Sequence, residues 1–328
     1  MKRRDTLCTL MAASAWPMAA RAQPAGNVVR LGVLFNAGAP APGGGLLERW
    51  LVPALAELGY VEGRNLQLDV RRAGGHSERL PALAADLVRA RVDAIVAITN
   101  LEAFAAKAAT STIPIIVIAC HGAEETGLIA SYAHPGGNVT GLESLAIELD
   151  VKRLELLRAT LPKARRVAVL SNPLDRGTAL HRQWSKGAAD ALRLRLETVP
   201  VSRLEEIDAA LASIAAMKPD ALLLFSDSVI VSSMPRIAGH ALAQRLPAFA
   251  EFRQFADAGG LMSYGASLSR MVRESARYVY KILKGATPAD LPVERAKEYE
   301  LVINSRTAKA FGLVVPSTVQ LRADEVIE

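Results

Sequence analysis

Cysteine is almost absent from this chain: Cys8 and Cys120 are the only two in 328 residues. Cys8 lies in an N-terminal segment expected to be removed, so Cys120 has no intramolecular partner and a disulfide framework is excluded. Histidine is nearly as scarce. His76, His121, His134, His181 and His240 are scattered without H-x-H or H-E-x-x-H spacing, so no metal site and no cofactor is expected. The glycines of APAPGGGLLE lack the G-x-G-x-x-G spacing of a nucleotide loop. Long apolar runs are missing as well: past the N-terminus they reach about ten residues, half of what a membrane-spanning helix needs. Charge of one sign is not in large excess. The chain has 39 Lys+Arg against 33 Asp+Glu, and four of those basic residues but only one acidic residue fall within the first 22. The near-balanced remainder has no nucleic-acid footprint.

The N-terminus reads as an export signal. Lys2, Arg3 and Arg4 precede an apolar run from Leu7 to Ala20, and Ala20-Arg21-Ala22 forms an A-x-A cleavage site before Gln23. Arg3-Arg4 ahead of Leu7 points to the twin-arginine route, with Thr6 where that signal usually has Phe. No lipobox precedes Cys8. Residues 1–22 are therefore expected to be a signal peptide, and the mature chain to be periplasmic and without a transmembrane segment of its own.

Beyond it, short β-type runs alternate with helix-type runs, the pattern of an α/β chain with mainly parallel sheets. Strands are expected at VVRLGVLFN, NLQLDVR, DAIVAI and IPIIVIA, then again at RRVAVLS, LRLETV, DALLLF and PAFAE. The helix GLLERWLVPALAELG places Leu46, Leu47, Trp50, Leu51, Leu55 and Leu58 on one stripe, with a bend expected at Pro53. One helix is expected over Ser228–Gln244. A second stripe, Leu268, Met271, Val272, Tyr278, Val279, Ile282 and Leu283, reads as core, and Gly285 ends that helix.

The two halves match in order. LGVLFN ending at Asn36 pairs with VAVLSN ending at Asn172, VDAIVAITN with PDALLLFSD, and TIPIIVIACH with RLPAFAEF. Two similar lobes follow. In open parallel sheets ligands bind beyond the carboxyl ends of the strands, where the matched polar residues stand: Asn36, Thr99, Asn100, Cys120 and His121 in one lobe, and Asn172, Ser226, Asp227 and Glu251 in the other. Each could instead cap the helix that follows; as a set they outline a cleft.

Four stretches together carry a family resemblance: SAWPMAARAQ, LGYVEGRNLQLDVR, HPGGNVTG, and AGGLMSYGASL with KILKGATPADLPVE and YELVINSRTAKAFGLVVP. They resemble the ABC transporter substrate-binding proteins of the tryptophan-importer type, over essentially the whole chain. The resemblance implies a type I periplasmic binding protein: two doubly wound parallel-sheet lobes joined by three hinge crossings, with a small-molecule solute held between them and an ABC permease as partner. It implies lobe one at 27–138 plus 265–290, lobe two at 142–260 plus 300–328, and hinge segments near 138–141, 261–265 and 293–303. PGGNVTG is then a crossing with Gly136, Gly137 and Gly141 as hinge glycines, and LMSYG a second with Gly265. For an amino acid, Asp227 or Glu251 would take the ammonium, the helix start at Thr99 and Asn100 the carboxylate, and Phe35 and Tyr264 would stack on an apolar part.

Two other classes share this architecture. A racemase-like exported enzyme would use Cys120, but adjacent strand residues point to opposite sides, which sets His121 badly for activating it, and the second lobe offers Glu251 rather than a facing cysteine. A repressor effector domain would carry a DNA-reading helix pair where the export signal stands.

Overall fold

The computed structural model describes residues 28–38 and 45–328; the expected signal peptide lies outside them. Among the described residues, thirteen strands form two sheets. The first has the order β11-β5-β4-β3-β1-β2, built from β1 (Val29–Phe35), β2 (Leu66–Arg72), β3 (Ala94–Ala97), β4 (Ile115–Cys120), β5 (Val139–Glu143) and β11 (Glu294–Arg295). The second has the order β13-β12-β10-β9-β8-β6-β7, built from β6 (Arg166–Ser171), β7 (Arg195–Pro200), β8 (Ala221–Leu224), β9 (Ala248–Ala250), β10 (Met262–Ala266), β12 (Tyr299–Asn304) and β13 (Glu325–Ile327). Every pairing in the first sheet is parallel, and in the second only β10 against β12 is antiparallel. The sheets repeat one order: β1 through β5 in the first lobe occupy the places of β6 through β10 in the second. This is the type I periplasmic binding protein architecture.

The strands are apolar because helices cover both faces of each sheet. In β4, Ile116 and Ile118 enter one core while Ile115, Val117 and Cys120 enter another. In β8, Leu222 and Leu224 oppose Leu223 in the same way. The largest apolar cluster runs through both lobes. It takes in Leu268, Met271, Val272, Tyr278, Val279 and Ile282 of the helix Leu268–Leu283, the stripe read from spacing. Among the described residues no helix is long and apolar enough to cross a membrane.

Several local expectations shift. Pro53 sits in the first turn of the helix Val52–Glu57, where its missing N–H is not needed, and a wide π-helical turn, Leu47–Leu51, precedes it. That turn changes the phase of the stripe. Leu47, Leu51 and Leu55 are buried, while Trp50 is 39% exposed and Leu58 is also at the surface. The single helix expected over Ser228–Gln244 is two, Ser228–Ser232 and Met234–Ala243, because Pro235 restarts the chain.

The first crossing is also displaced. Val139–Glu143 is a full strand of the first sheet, between β4 and β11, so the chain leaves that sheet at Ser144–Leu145, not at 138–141. Gly141 lies inside β5, where a Cβ would strike the Val117 carbonyl and φ is +137°. Gly136 and Gly137 form the turn before the strand. Gly265 belongs to β10 in the second sheet, where a Cβ would sit 2.5 Å from Glu251 Cγ and 2.7 Å from its carbonyl oxygen. The chain passes to the helix Leu268–Leu283 only after Ala266, and returns between β11 and β12.

Candidate functional site

The carboxyl ends of the two sheets meet. Asn36 Nδ2 donates to Ser77 Oγ at 2.9 Å within its own lobe and to Ser228 Oγ at 3.1 Å across the gap. The Ser77 hydroxyl reaches the Ser202 carbonyl at 3.4 Å. His121 Nε2 lies 3.4 Å from Asp175 Oδ1, and the Arg176 guanidinium stands 4.3 Å over the Phe104 ring. At the rim His76 bridges to Arg203, with its Nε2 3.3 Å from Glu205. The lobes are closed on one another.

Several residues expected to hold a ligand are already occupied. Asn100 clamps the main chain of His121: its Nδ2 donates to the His121 carbonyl at 2.8 Å and its Oδ1 accepts from the His121 N–H at 3.1 Å. Thr99 caps the helix Asn100–Ala109 in a reciprocal box with Glu102, whose buried carboxylate takes the N–H groups of Thr99 and Asn36 and the Thr99 hydroxyl. Burial raises the Glu102 pKa against those bonds. An internal carboxylate therefore occupies the helix start expected to receive an anionic ligand. In lobe two, Asn172 Nδ2 donates to Asp227 Oδ2 at 2.5 Å, and Asp227 Oδ1 accepts from the Ile230 N–H at 2.8 Å as a helix cap. Burial, aided by the charges of Asp175 and Glu102, lifts Asp227 to about 7 against its hydrogen bonds.

Cys120 points away from the gap, into the helix-covered core of lobe one. Its Sγ contacts the Leu142 carbonyl at 3.2 Å, and burial first, then Glu143, pushes the thiol well above its ordinary pKa. It is neither a ligand wall nor a nucleophile. Iodoacetamide at pH 8 is expected to leave Cys120 unmodified in the native chain and to alkylate it fully in denaturant, read by peptide mass.

Other side chains at the strand ends are not occupied. Glu251, after β9, is 1% exposed and both its carboxylate oxygens lack a partner. Asn36 Oδ1, Ser226 Oγ, Ser263 Oγ, Asp175 Oδ2 and His181 Nε2 are likewise buried and without a hydrogen-bond partner. A buried polar atom without a partner costs about 1–3 kcal/mol, and an ionised one more.

Between the lobes lies a cleft of about 800 Å³ with mostly apolar walls, including Phe35, Leu47, Trp50 and Ile98 from lobe one and Leu204 and Met234 from lobe two; Glu251 does not line it. Thr99, Ser228 and Gln254 also line it. Arg72 lies 4.9 Å over the Phe35 ring. Tyr264 is half-buried against the lobe-two core, and its carbonyl accepts from Arg153 at 2.9 Å.

The sequence did not single out Ser77, Glu102, Asp150, Arg153, Asp175, His181 or Ser228. The signal available for Asp175 and Ser228 was position: each follows a strand matched in the other half. Asp150, Arg153 and His181 sit on helices whose inward face only packing defines.

Residues 46–327 match a family model described as ABC transporter substrate binding protein. The chain is 29% identical over 266 residues to a tyrosine-binding protein of Clostridioides difficile (strain R20291), covering 81% of this chain and 76% of that one. An ABC domain in complex with L-Trp from Streptococcus pneumoniae superposes with a TM-score of 0.81 at 25% identity, over 92% of this chain and 100% of the other. The ligand-free, open structure of a substrate-binding protein with adhesive properties from Clostridium difficile aligns over 92% of this chain and 99% of its own at the same identity, but with a TM-score of 0.60.

Proposed function

Because this chain belongs to the ABC transporter substrate-binding protein family, we propose that it captures a small amine-bearing solute, an amino acid or close relative, between its lobes and delivers it to a membrane permease. Export rests on the N-terminal segment, and delivery on the family. The observation that carries the solute class is Glu251. Its two oxygens are buried without a hydrogen-bond partner, and a buried carboxylate left without hydrogen bonds carries a cost that a bound ammonium would offset.

Of the two acids expected to meet an ammonium, Asp227 has both oxygens engaged, which leaves Glu251. Asp175 Oδ2 and Asn36 Oδ1 add acceptors for the same group. The hydroxyls of Ser226 and Ser263 can donate to a solute carboxylate, a role Thr99 and Asn100 are too committed to fill. The Phe35 wall suits an apolar or aromatic body. The relatives described above are binding proteins, and a thiol buried in the core of lobe one weighs against the racemase-like alternative.

Calorimetric titration tests this directly. L-Tyrosine or L-tryptophan is expected to bind, and the same ring systems carried on a propanoate without the amine are expected to bind at least about a hundredfold more weakly, the worth of a buried charge-assisted contact. Equal affinity for the amine-free acids would end this reading.

A further inference from the structure

The ring of His121, from lobe one, enters the polar interior of lobe two. The two hydrogen bonds from Asn100 fix its main chain at the end of β4, so the ring projects from a rigid point. Its receptacle is shaped for it. Gly177 leaves the space, since a Cβ there would come within 2.7 Å of His121 Nε2. Asp175, in the same turn, lies 3.4 Å from that nitrogen and accepts the Gly177 N–H at 2.7 Å. The edge of His181 meets the ring at a centroid distance of 5.1 Å and 61° between planes. His181 is itself pinned, with Nδ1 2.5 Å from Asp150 Oδ2 and its ring stacked on Phe225 at 4.7 Å. All of these groups are buried.

We propose that His121 is a cross-lobe latch that fastens the closed receptor only while its ring carries a proton, setting solute affinity without touching the solute. It is a positioning residue, and the proposal rests on the two-lobe capture reading above. The groups acting on the ring are Asp175 and His181 from the receptacle, Glu251 from the end of β9, and Glu143 from the end of β5; Asp150 is already balanced by Arg153 at 2.5 Å. Acid outweighs base around the ring, and opening would replace that surrounding with water.

The titration supports the geometry. Burial opposes the charge on His121, but Asp175, then Glu251 and Glu143, raise it to about 9, against about 6.5 for a solvated histidine. A raised pKa in the closed form means that closure takes up a proton. The latch is complete below about pH 6.5 and is lost as pH rises through about 9.

Small-angle X-ray scattering on the solute-free full chain tests the latch without a known solute. The natural protein is expected to be more compact at pH 6.5 than at pH 9, while His121→Gln and Asp175→Asn give one radius of gyration at both. Asp175→Asn keeps the ring and removes its counter-charge, so it decides the matter even if His121→Gln unfolds. No expansion in the natural protein, or equal expansion in the variants, overturns the latch. With L-tyrosine as probe, affinity is expected to fall at least about tenfold from pH 6.5 to pH 8.5 in the natural protein and to stay flat in His121→Gln. Failure of L-tyrosine to bind at any pH counts against the amino-acid reading, and the scattering result still decides the latch.

Discussion

Replacing Glu251 by glutamine is expected to abolish solute binding and, at the same time, to make the empty protein more stable. The two effects have one cause. Both carboxylate oxygens are buried without a hydrogen-bond partner, so the solute-free protein bears a desolvation cost that the charge of His121 offsets only in part. Glutamine keeps nearly the same shape and removes the charge, and a gain of about 1–3 kcal/mol in folding stability follows. The solute then loses its counter-charge. Losing one partner of a buried, hydrogen-bonded ion pair costs about 3–5 kcal/mol, or a hundredfold to several thousandfold in affinity. Thermal unfolding and calorimetric titration of the same preparation check both halves. A variant that binds normally removes Glu251 from the site; one that is less stable without solute shows that its oxygens have partners. Asp227→Ala is a poorer probe, because it also removes the cap of the helix Ser228–Ser232 and lowers stability whatever the solute does.

Gly141→Ala is expected to be the most damaging single methyl group in lobe one. The strand β5 runs so close to β4 that a Cβ at this position meets the Val117 carbonyl and amide nitrogen, and the backbone already has φ at +137°. The contact is with main chain, which cannot swing aside, and the register between β4 and β5 shifts just beyond it. A loss of about 3 kcal/mol or more is expected in chemical denaturation, with the unfolding midpoint lowered accordingly. Gly137→Ala is the control. It sits in the preceding turn with open space around it and is expected to change stability by less than about 0.5 kcal/mol. Equal effects at the two positions would mean that β5 is not packed as described.

The contrast between these two glycines shows why part of the architecture could be read from the sequence and part could not. Strands buried on both faces appear as unbroken apolar runs, so IVAI, IIVIA and LLLF announced themselves, and with them the duplicated order and the polar residues that follow each strand. Gly141 has the opposite effect: a glycine within a strand reads as a turn, and the close backbone approach that requires it lies 24 residues away in sequence, at Val117. For the polar residues, position was legible but availability was not. Asn36, Asn100, Asn172, Asp227 and Glu251 look equivalent in the sequence. Only the folded chain reveals that Asn100 is spent on the His121 main chain and Asn172 on Asp227, while Glu251 is left free. Cys120 went astray for a related reason, since alternation along β4 decides which side of the sheet a terminal residue faces.

The repeated strand order has one more consequence. Two identical halves facing one another would present a guest with the same groups on both sides, and the guest could sit in either direction. Here the equivalent positions have diverged: His121 follows β4 where Glu251 follows β9, and Thr99-Asn100 stands where the other half has Ser226-Asp227. On the reading proposed above, the enclosure then has a head and a tail, and a bound molecule would enter it with a single polarity.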